Sequence, residues 1–280
     1  MKFEGGSRLY PAHKKMMQTA PVSLPTERLK FGNVVVDVTH FAGAIDAVEA
    51  LVERGQGGFV VTPNIDHVVI AETSAPFQEA YRDAALSIAD GMPLVWASRF
   101  LGRTLPERIS GSDIMGPLFE RAAKKKWRLY FLGAGPGVAE EAARRVTAQY
   151  GAQVVGVDSP KISIDPDAAE NKPVLERIRA AKPDLLFVAL GAPKQEIWMH
   201  RFSKAYAPAV ALGIGAGLDF VAGAVQRAPA WMQKSGLEWA YRLSREPKRL
   251  WRRYLVNDPK FLAVLARTMR LPLAERVTRR

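Results

Sequence analysis

The sequence predicts an α/β protein: a mostly parallel, Rossmann-like sheet flanked by helices, followed by a basic helical C-terminal appendage. Three observations carry this. From residue 28 to residue 229, short apolar runs rich in β-branched residues alternate with stretches of helical period, the order that builds βαβ units. Those runs are apolar at consecutive positions, as in strands buried on both faces. Beyond Pro229 the alternation stops, and helical sequence dense in Arg, Trp and Tyr takes over.

In chain order, residues 1–27 mix Gly, Pro and Lys without a period and read as a poorly ordered lead-in. The core of 28–229 then runs through NVVVDV (33–38), the helical AIDAVEALVERG (44–55), GFVVTPN (58–64), a helical stretch at 75–86 and LSIAD (86–90). It continues with a helix at 112–125, RLYFLGAG (128–135), a helix at 137–150, AQVVGVD (152–158), a helix at 170–181, DLLFVALGAP (184–193) and AVALGIGAG (209–217). Residues 230–280 form the appendage. Within it, Leu250, Trp251, Tyr254 and Leu255 are expected on one helical face, with Lys248, Arg249, Arg252 and Arg253 opposite. Such a basic amphipathic segment suits an anionic membrane surface.

Composition narrows the function. With 280 residues, 48% of them hydrophobic, the chain buries a sizeable core. It has no cysteine, which excludes disulfides and thiolate metal sites and makes a reducing cytoplasm the simplest home. The four histidines, His13, His40, His67 and His200, lack metal-ligand spacing, so neither a metal nor a cofactor is expected. No apolar run reaches the roughly 20 residues of a membrane span, and the N-terminus lacks a signal-peptide apolar stretch. The net charge of +12 implies an anionic partner. Fourteen of the 40 Lys and Arg residues lie after Val225 with only four acids, so the appendage carries most of the excess.

Ligands of open α/β sheets bind beyond the carboxyl ends of the strands. Five polar or Gly-rich motifs follow strand-like runs: TPNID, DGMP, GAGPG, GAPKQE and GAGLDF. All five are therefore expected on one edge. In LSIADGMP, Asp90 is placed to project into that crevice as a base, although turn and N-cap roles suit the same residue. TPNIDHV puts Thr62 and Asn64 beside it, where short polar side chains suit a hydroxyl-rich ligand or an Asx turn. ERISGSD brings Arg108 and Asp113 around Gly111; the arginine suits a diphosphate or a carboxylate partner equally. GAGPG offers Gly133 and Gly135 for close approach to a phosphate, but its GxGxG spacing is not the dinucleotide fingerprint, and a plain tight turn is the alternative. GAPKQE is the more specific signal: Lys194 for a phosphate, Gln195 as donor and acceptor for a sugar or base edge, and Glu196 with them at a helix start, with a capped, solvated helix terminus as the alternative.

Taken in order, TPN, ADGMPLVWASR, ERISGSD, FLGAGPGVAEEAA, LLFVALGAPKQEIW, GIGAGLDFVAG, RAPAWMQKSGLEWAYRL and EPKRLWRRYL resemble the WecG/TagA/CpsF glycosyltransferases, glycosyltransferase family 26, over residues 28–256. The resemblance implies an inverting, metal-independent transferase. Its donor would be a UDP-sugar, often of the N-acetylmannosamine type, and its acceptor a polyprenyl-diphosphate-linked sugar. The products of such enzymes are teichoic acid linkage units, enterobacterial common antigen, capsules or exopolysaccharides. By motif, Asp90 resembles the family's base, and Thr62 and Asn64 its residues near the reacting sugar. Arg108, Gln195 and Asp219 resemble residues lining the donor and diphosphate pocket. The appendage would complete the site through arginines of 242–253, among them Arg242, Arg249 and Arg252, and dock on the inner face of the cell membrane. Where relatives often carry Gly-Tyr-Phe after the strand VVGV, this chain reads DSPKISIDP.

Two other classes compete. A nucleic-acid-binding protein is motivated by the arginine-rich tail, but one-sided Trp and Tyr suit an interface better than base stacking, so no nucleic acid is expected. A nucleotide-dependent oxidoreductase rests on the Gly-rich loop alone and has the wrong glycine spacing. The sequence leaves homo-oligomerisation open.

Overall fold

The structure, a computed structural model, describes residues 24–280; the lead-in of 1–27 thus falls almost wholly outside the described residues. The described strands are β1 (Glu27–Phe31), β2 (Val34–Asp37), β3 (Gly58–Val61), β4 (Leu86–Ser87), β5 (Arg128–Gly133), β6 (Gln153–Asp158), β7 (Leu185–Ala189), β8 (Val210–Gly213) and β9 (Val277–Arg279). Six of them form one parallel sheet in the order β4-β3-β8-β7-β5-β6, as the consecutive apolar runs predict. The helices associated with it are α1 (Phe41–Arg54), α2 (Ile65–Ile70), α3 (Ala75–Asp83), α4 (Met92–Ser98), α5 (Gly111–Lys125), α6 (Val138–Tyr150), α7 (Asn171–Ala181), α8 (Lys194–Arg201), α9 (Ser203–Tyr206) and α10 (Gly217–Ala222).

Side chains of a strand alternate between faces, and the sheet has a core on each side. Leu129, Phe131, Leu185, Phe187, Val210 and Leu212 pack against α1, α5, α6 and α10. Their neighbours Tyr130, Leu132, Leu186, Val188 and Ala211 pack against α3, α7, α8 and α9. Phe119 of α5 joins the first core at 5.9 Å from Phe131 and 5.3 Å from Phe187 between ring centroids, within the range of favourable aromatic pairs.

LSIAD pairs as a strand only at Leu86 and Ser87. Its backbone nonetheless stays alongside β3: the Ile88 amide donates to the Val61 carbonyl and the Asp90 amide to that of Pro63. Pro63 has no N–H to return, which breaks the ladder there.

NVVVDV does not join the parallel sheet. It becomes β2, which pairs antiparallel with β1 across the two-residue loop Gly32-Asn33, where Gly32 takes the positive φ of +57° that glycine tolerates best.

The C-terminal segment consists of α11 (Ala230–Lys234), α12 (Glu238–Arg245), α13 (Pro247–Trp251), a π-helical turn (Arg252–Asn257), a 3-10 turn (Asp258–Lys260), α14 (Phe261–Met269) and α15 (Leu273–Arg276). It then returns to the core as β9, pairing antiparallel with β1, a strand that the helical pattern did not suggest. Arg280 closes on the Asp37 carboxylate at 3.0 Å. That side chain is wholly buried, and it also faces Arg28 at 3.4 Å and accepts the Ser87 amide at 2.7 Å.

The expected amphipathic face of 248–255 is also divided differently. Leu250 is buried and Tyr254 half-buried, whereas Trp251 and Leu255 are exposed. On a helix Leu250, Arg253 and Tyr254 share one arc and Trp251 and Leu255 the next, so the arc that meets the core is rotated from the apolar one expected; the winding passes from α to π at Arg252.

Candidate active site

Four of the five expected loops meet at the carboxyl ends of β4, β3, β8 and β7. They line a cleft of about 590 Å³ together with residues of α11–α13 and the turns after them. The cleft lies where the chain runs from β3 outward to β4 on one side, while β5 and β6 build the other side of the sheet. Asp90 is held by the hydrogen bond from its amide to the Pro63 carbonyl (2.7 Å) and followed by Gly91, whose φ of +146° strains any other residue. Thr62 donates to the Gly213 carbonyl at 3.1 Å. Asn64 caps α2, accepting the His67 amide at 3.3 Å. Gly111 lets the start of α5 approach: a Cβ there would sit 3.2 Å from the Gly213 carbonyl and 3.3 Å from Thr62.

Around Asp90 lies a charge network. Arg108 Nη1 is 3.8 Å from Asp90 Oδ1 and 3.7 Å from Glu238 Oε2, while Nη2 binds Asp113 Oδ2 at 2.8 Å. Arg227 binds Asp113 Oδ1 at 2.5 Å and faces Glu238 Oε1 at 3.4 Å. The Asp90 side chain keeps 31% of its surface and lines the cleft. Protein surrounds it otherwise, and burial pushes its pKa up to about 6; Arg108 opposes the shift, and the charges of Glu238 and Asp113 add to it. Asp113 goes the other way, because Arg227 and Arg108 outweigh its burial.

A second carboxylate group borders the same cleft. Asp66 Oδ2 is 3.1 Å from Arg253 Nε, and Arg253 also donates to Asn64 Oδ1 at 3.4 Å. Asp258 shares this cation and is driven up to about 7 by burial and by Asp66. His67, bonded to the Tyr81 hydroxyl at 2.6 Å, is buried and held neutral, its pKa lowered to about 3. A neighbouring chamber of about 400 Å³ is lined by Asp219, Tyr241 and Arg245, and shares Phe220, Arg227, Glu238, Arg242 and Arg249 with the cleft.

Of the residues expected from sequence, Thr62, Asn64, Asp90, Arg108, Gln195, Arg242 and Arg249 line the cleft and Asp219 the adjoining chamber. Gln195 is only 2% exposed, and its amide is engaged within the protein: Oε1 accepts the Gly215 amide at 3.1 Å and Nε2 donates to Glu196 Oε1 at 2.7 Å. Glu196 lies behind it, fully buried, with its pKa raised to about 7 by burial. Lys194, Gly133, Gly135 and Arg252 are not among the residues lining either chamber. The GAGPG loop is displaced because β5 lies outside β7 in the sheet. Gly133 has a packing reason instead: a Cβ there would meet the Ala189 carbonyl oxygen at 2.5 Å. Arg252 is exposed, and the π-helical turn presents Arg253 to the cleft in its place.

The profile of the glycosyl transferase WecG/TagA/CpsF family matches residues 29–274. The chain belongs to this glycosyltransferase family. Among its relatives, a Bacillus spizizenii protein is 32% identical over 250 residues, covering 89% of this chain and 91% of its own. One from Bacillus subtilis is 31% identical over 228 residues (80% and 85%), and one from Staphylococcus aureus 32% over 216 (76% and 81%). All three are named N-acetylglucosaminyldiphosphoundecaprenol N-acetyl-β-D-mannosaminyltransferase.

The cleft thus brings together a carboxylate of raised pKa and a group of arginines able to meet an anionic ligand. Sequence reasoning missed Arg227, Glu238 and Asp258 as cleft residues, while Arg253 lies within the 242–253 range expected to contribute arginines. The first two stand inside RAPAW and LEWAYR, motifs that single out their positions without showing that both turn toward Asp113 and Arg108.

Proposed function

We propose that the protein moves one sugar from a UDP-sugar onto a polyprenyl-diphosphate-linked acceptor, with inversion and with Asp90 as general base. The sugar is of the N-acetylmannosamine type, its uronic acid or a hexose such as glucose. The observation that carries this is Asp90 itself, a carboxylate of raised basicity that lines the cleft and is flanked by Arg108. Asp90 takes the proton of the acceptor hydroxyl as its oxygen attacks the anomeric carbon. The bond from that carbon to the diphosphate oxygen breaks, and its electron pair leaves with UDP. Arg108, Arg227, Arg242 and Arg249, all lining the cleft, face the charge of the leaving diphosphate. The relatives' shared name supports the choice of N-acetylmannosamine as donor sugar and of an N-acetylglucosamine-diphosphate lipid as acceptor.

In this reading the enzyme works on the inner face of the cell membrane. Trp231, Trp251, Leu255, Val256 and Leu262 are exposed on the basic C-terminal segment, and such a surface binds anionic headgroups while its aromatics enter the interface. No helix among the described residues is long and apolar enough to cross a membrane.

The test is a panel of UDP-sugars against polyprenyl-diphosphate-linked N-acetylglucosamine, with the anomeric configuration of the product determined by NMR. Transfer with inversion by the native protein and loss of turnover in Asp90→Asn, with UDP still bound, are expected. Turnover retained by Asp90→Asn removes the base, and a product of retained configuration removes the mechanism.

A further inference from the structure

Arg108 has more anionic neighbours than it can serve. Its Nη2 is fixed on Asp113 at 2.8 Å, so the planar guanidinium offers Nη1 to what remains. Two carboxylates stand almost equally far from that nitrogen, Asp90 at 3.8 Å and Glu238 at 3.7 Å. Neither pair is closed to the 2.7–2.9 Å of a charge-assisted bond. Glu238 is itself held from the far side by Arg227 Nε at 3.4 Å, and Arg227 is anchored on Asp113 and on Ser110 Oγ at 3.3 Å. Three carboxylates thus face two guanidinium groups, and all five side chains are at most one-third exposed.

We propose that Glu238 is a positioning residue for the transfer: it draws Arg108 away from Asp90, so that the base meets the acceptor hydroxyl unpaired while the cation stays within reach of the diphosphate. The inference rests on the reading of Asp90 as the base. Without the Glu238 charge, the anion remaining for Nη1 is Asp90. A closed ion pair there would occupy the lone pair that must take the proton and would weaken the base. Glu238 opens α12, so the base has its full strength only with the C-terminal segment seated on the sheet edge.

The test uses the full-length enzyme with UDP-N-acetylmannosamine and polyprenyl-diphosphate-linked N-acetylglucosamine. Glu238→Gln keeps the length and one acceptor oxygen but removes the charge. Its kcat is expected to fall roughly tenfold with KM for the donor within about twofold, and the acid limb of its kcat profile to move down by about one pH unit, the free-energy equivalent of that tenfold change. The Asp90 carboxyl carbon, identified in the NMR spectrum by its loss in Asp90→Asn, should titrate at lower pH in the variant. Glu238→Asp, which retains the charge, should keep the native acid limb. If Glu238→Gln does not fold by circular dichroism, Glu238→Ser supplies the same contrast against Glu238→Asp. An acid limb and carboxyl titration unmoved by loss of the charge would overturn the proposal, whatever happens to kcat. Should Asp90→Asn be inactive while the Glu238 variants titrate normally, only this inference fails; an active Asp90→Asn removes the base reading with it.

Discussion

Asp90 and Glu196 are both carboxyl groups with raised pKa, yet they stand on opposite sides of the site's boundary. Asp90 opens onto the cleft and is raised to about 6 by burial. As a base it works only when ionised, so turnover should fall as pH drops through about 6; kcat/KM between pH 5 and 8 measures this, and a flat profile would contradict it. Glu196 is fully buried at about 7, and its Oε2 has no hydrogen-bond partner. The folded state holds its proton to higher pH than the unfolded state does, so that contribution is complete below the ordinary glutamate value and is lost as pH rises through 7. Glu196→Gln should therefore melt higher than the native protein at pH 8, with the advantage vanishing near pH 4.5. The motif GAPKQE placed Gln195 and Glu196 near the ligand, and what it left hidden was depth. A helix start sends successive side chains in different directions, and here Gln195 braces the Gly215 amide while Glu196 faces the core. Letters at a helix terminus do not say which way the terminus is rotated.

At the scale of elements, the alternation of apolar runs and helical stretches made the sheet legible, because a strand buried on both faces leaves an unbroken apolar signature. Strand order was not legible, and it decides which loops share a cleft: GAGPG follows β5, one strand too far from the centre. Gly133→Ala tests its structural role. With φ at +99° and the Ala189 oxygen 2.5 Å from the new Cβ, strain of about 1–3 kcal/mol is expected. That corresponds to a Tm lower by roughly 3–10 °C with turnover per folded molecule retained; a selective loss of donor binding would return the loop to the site. The C-terminal segment shows the same limit. Trp251 and Leu255 stay outside while Leu250, Arg253 and Tyr254 turn inward, so the buried arc mixes a cation with apolar residues and the apolar pattern alone does not locate it. Leu255→Glu should weaken binding to anionic vesicles roughly tenfold or more, from the burial it forgoes, and leave UDP binding unchanged. Equal vesicle affinity would place the docking surface elsewhere.

For the whole molecule, the return of the chain as β9 matters most. Three residues give a helical pattern nothing to detect, and pairing with β1 is a contact between sequence extremes. Deleting residues 277–280 strips Arg280 from Asp37 and leaves Arg28 as the remaining cation on a wholly buried carboxylate. A loss of about 2 kcal/mol is expected, seen as a lower Tm and as faster hydrogen exchange in α11–α14 than in β5 and β7. Unchanged exchange in those helices would show that the seam with β1 does not hold them.

With Glu27 opposite Arg279 in one ladder, the excursion over the cleft is a closed ring, anchored at α10 and again at β1. A ring searches little space: its cover is never more than a hinge's swing from the site, and closing it costs only slowly more as it lengthens. The pairing of β9 with β1 also allows a permuted chain. With residues 1–25 removed, Arg280 joined to Thr26 and the chain opened in the connection between α10 and α11, every pairing described above is kept while the cover hangs from the β1 side alone.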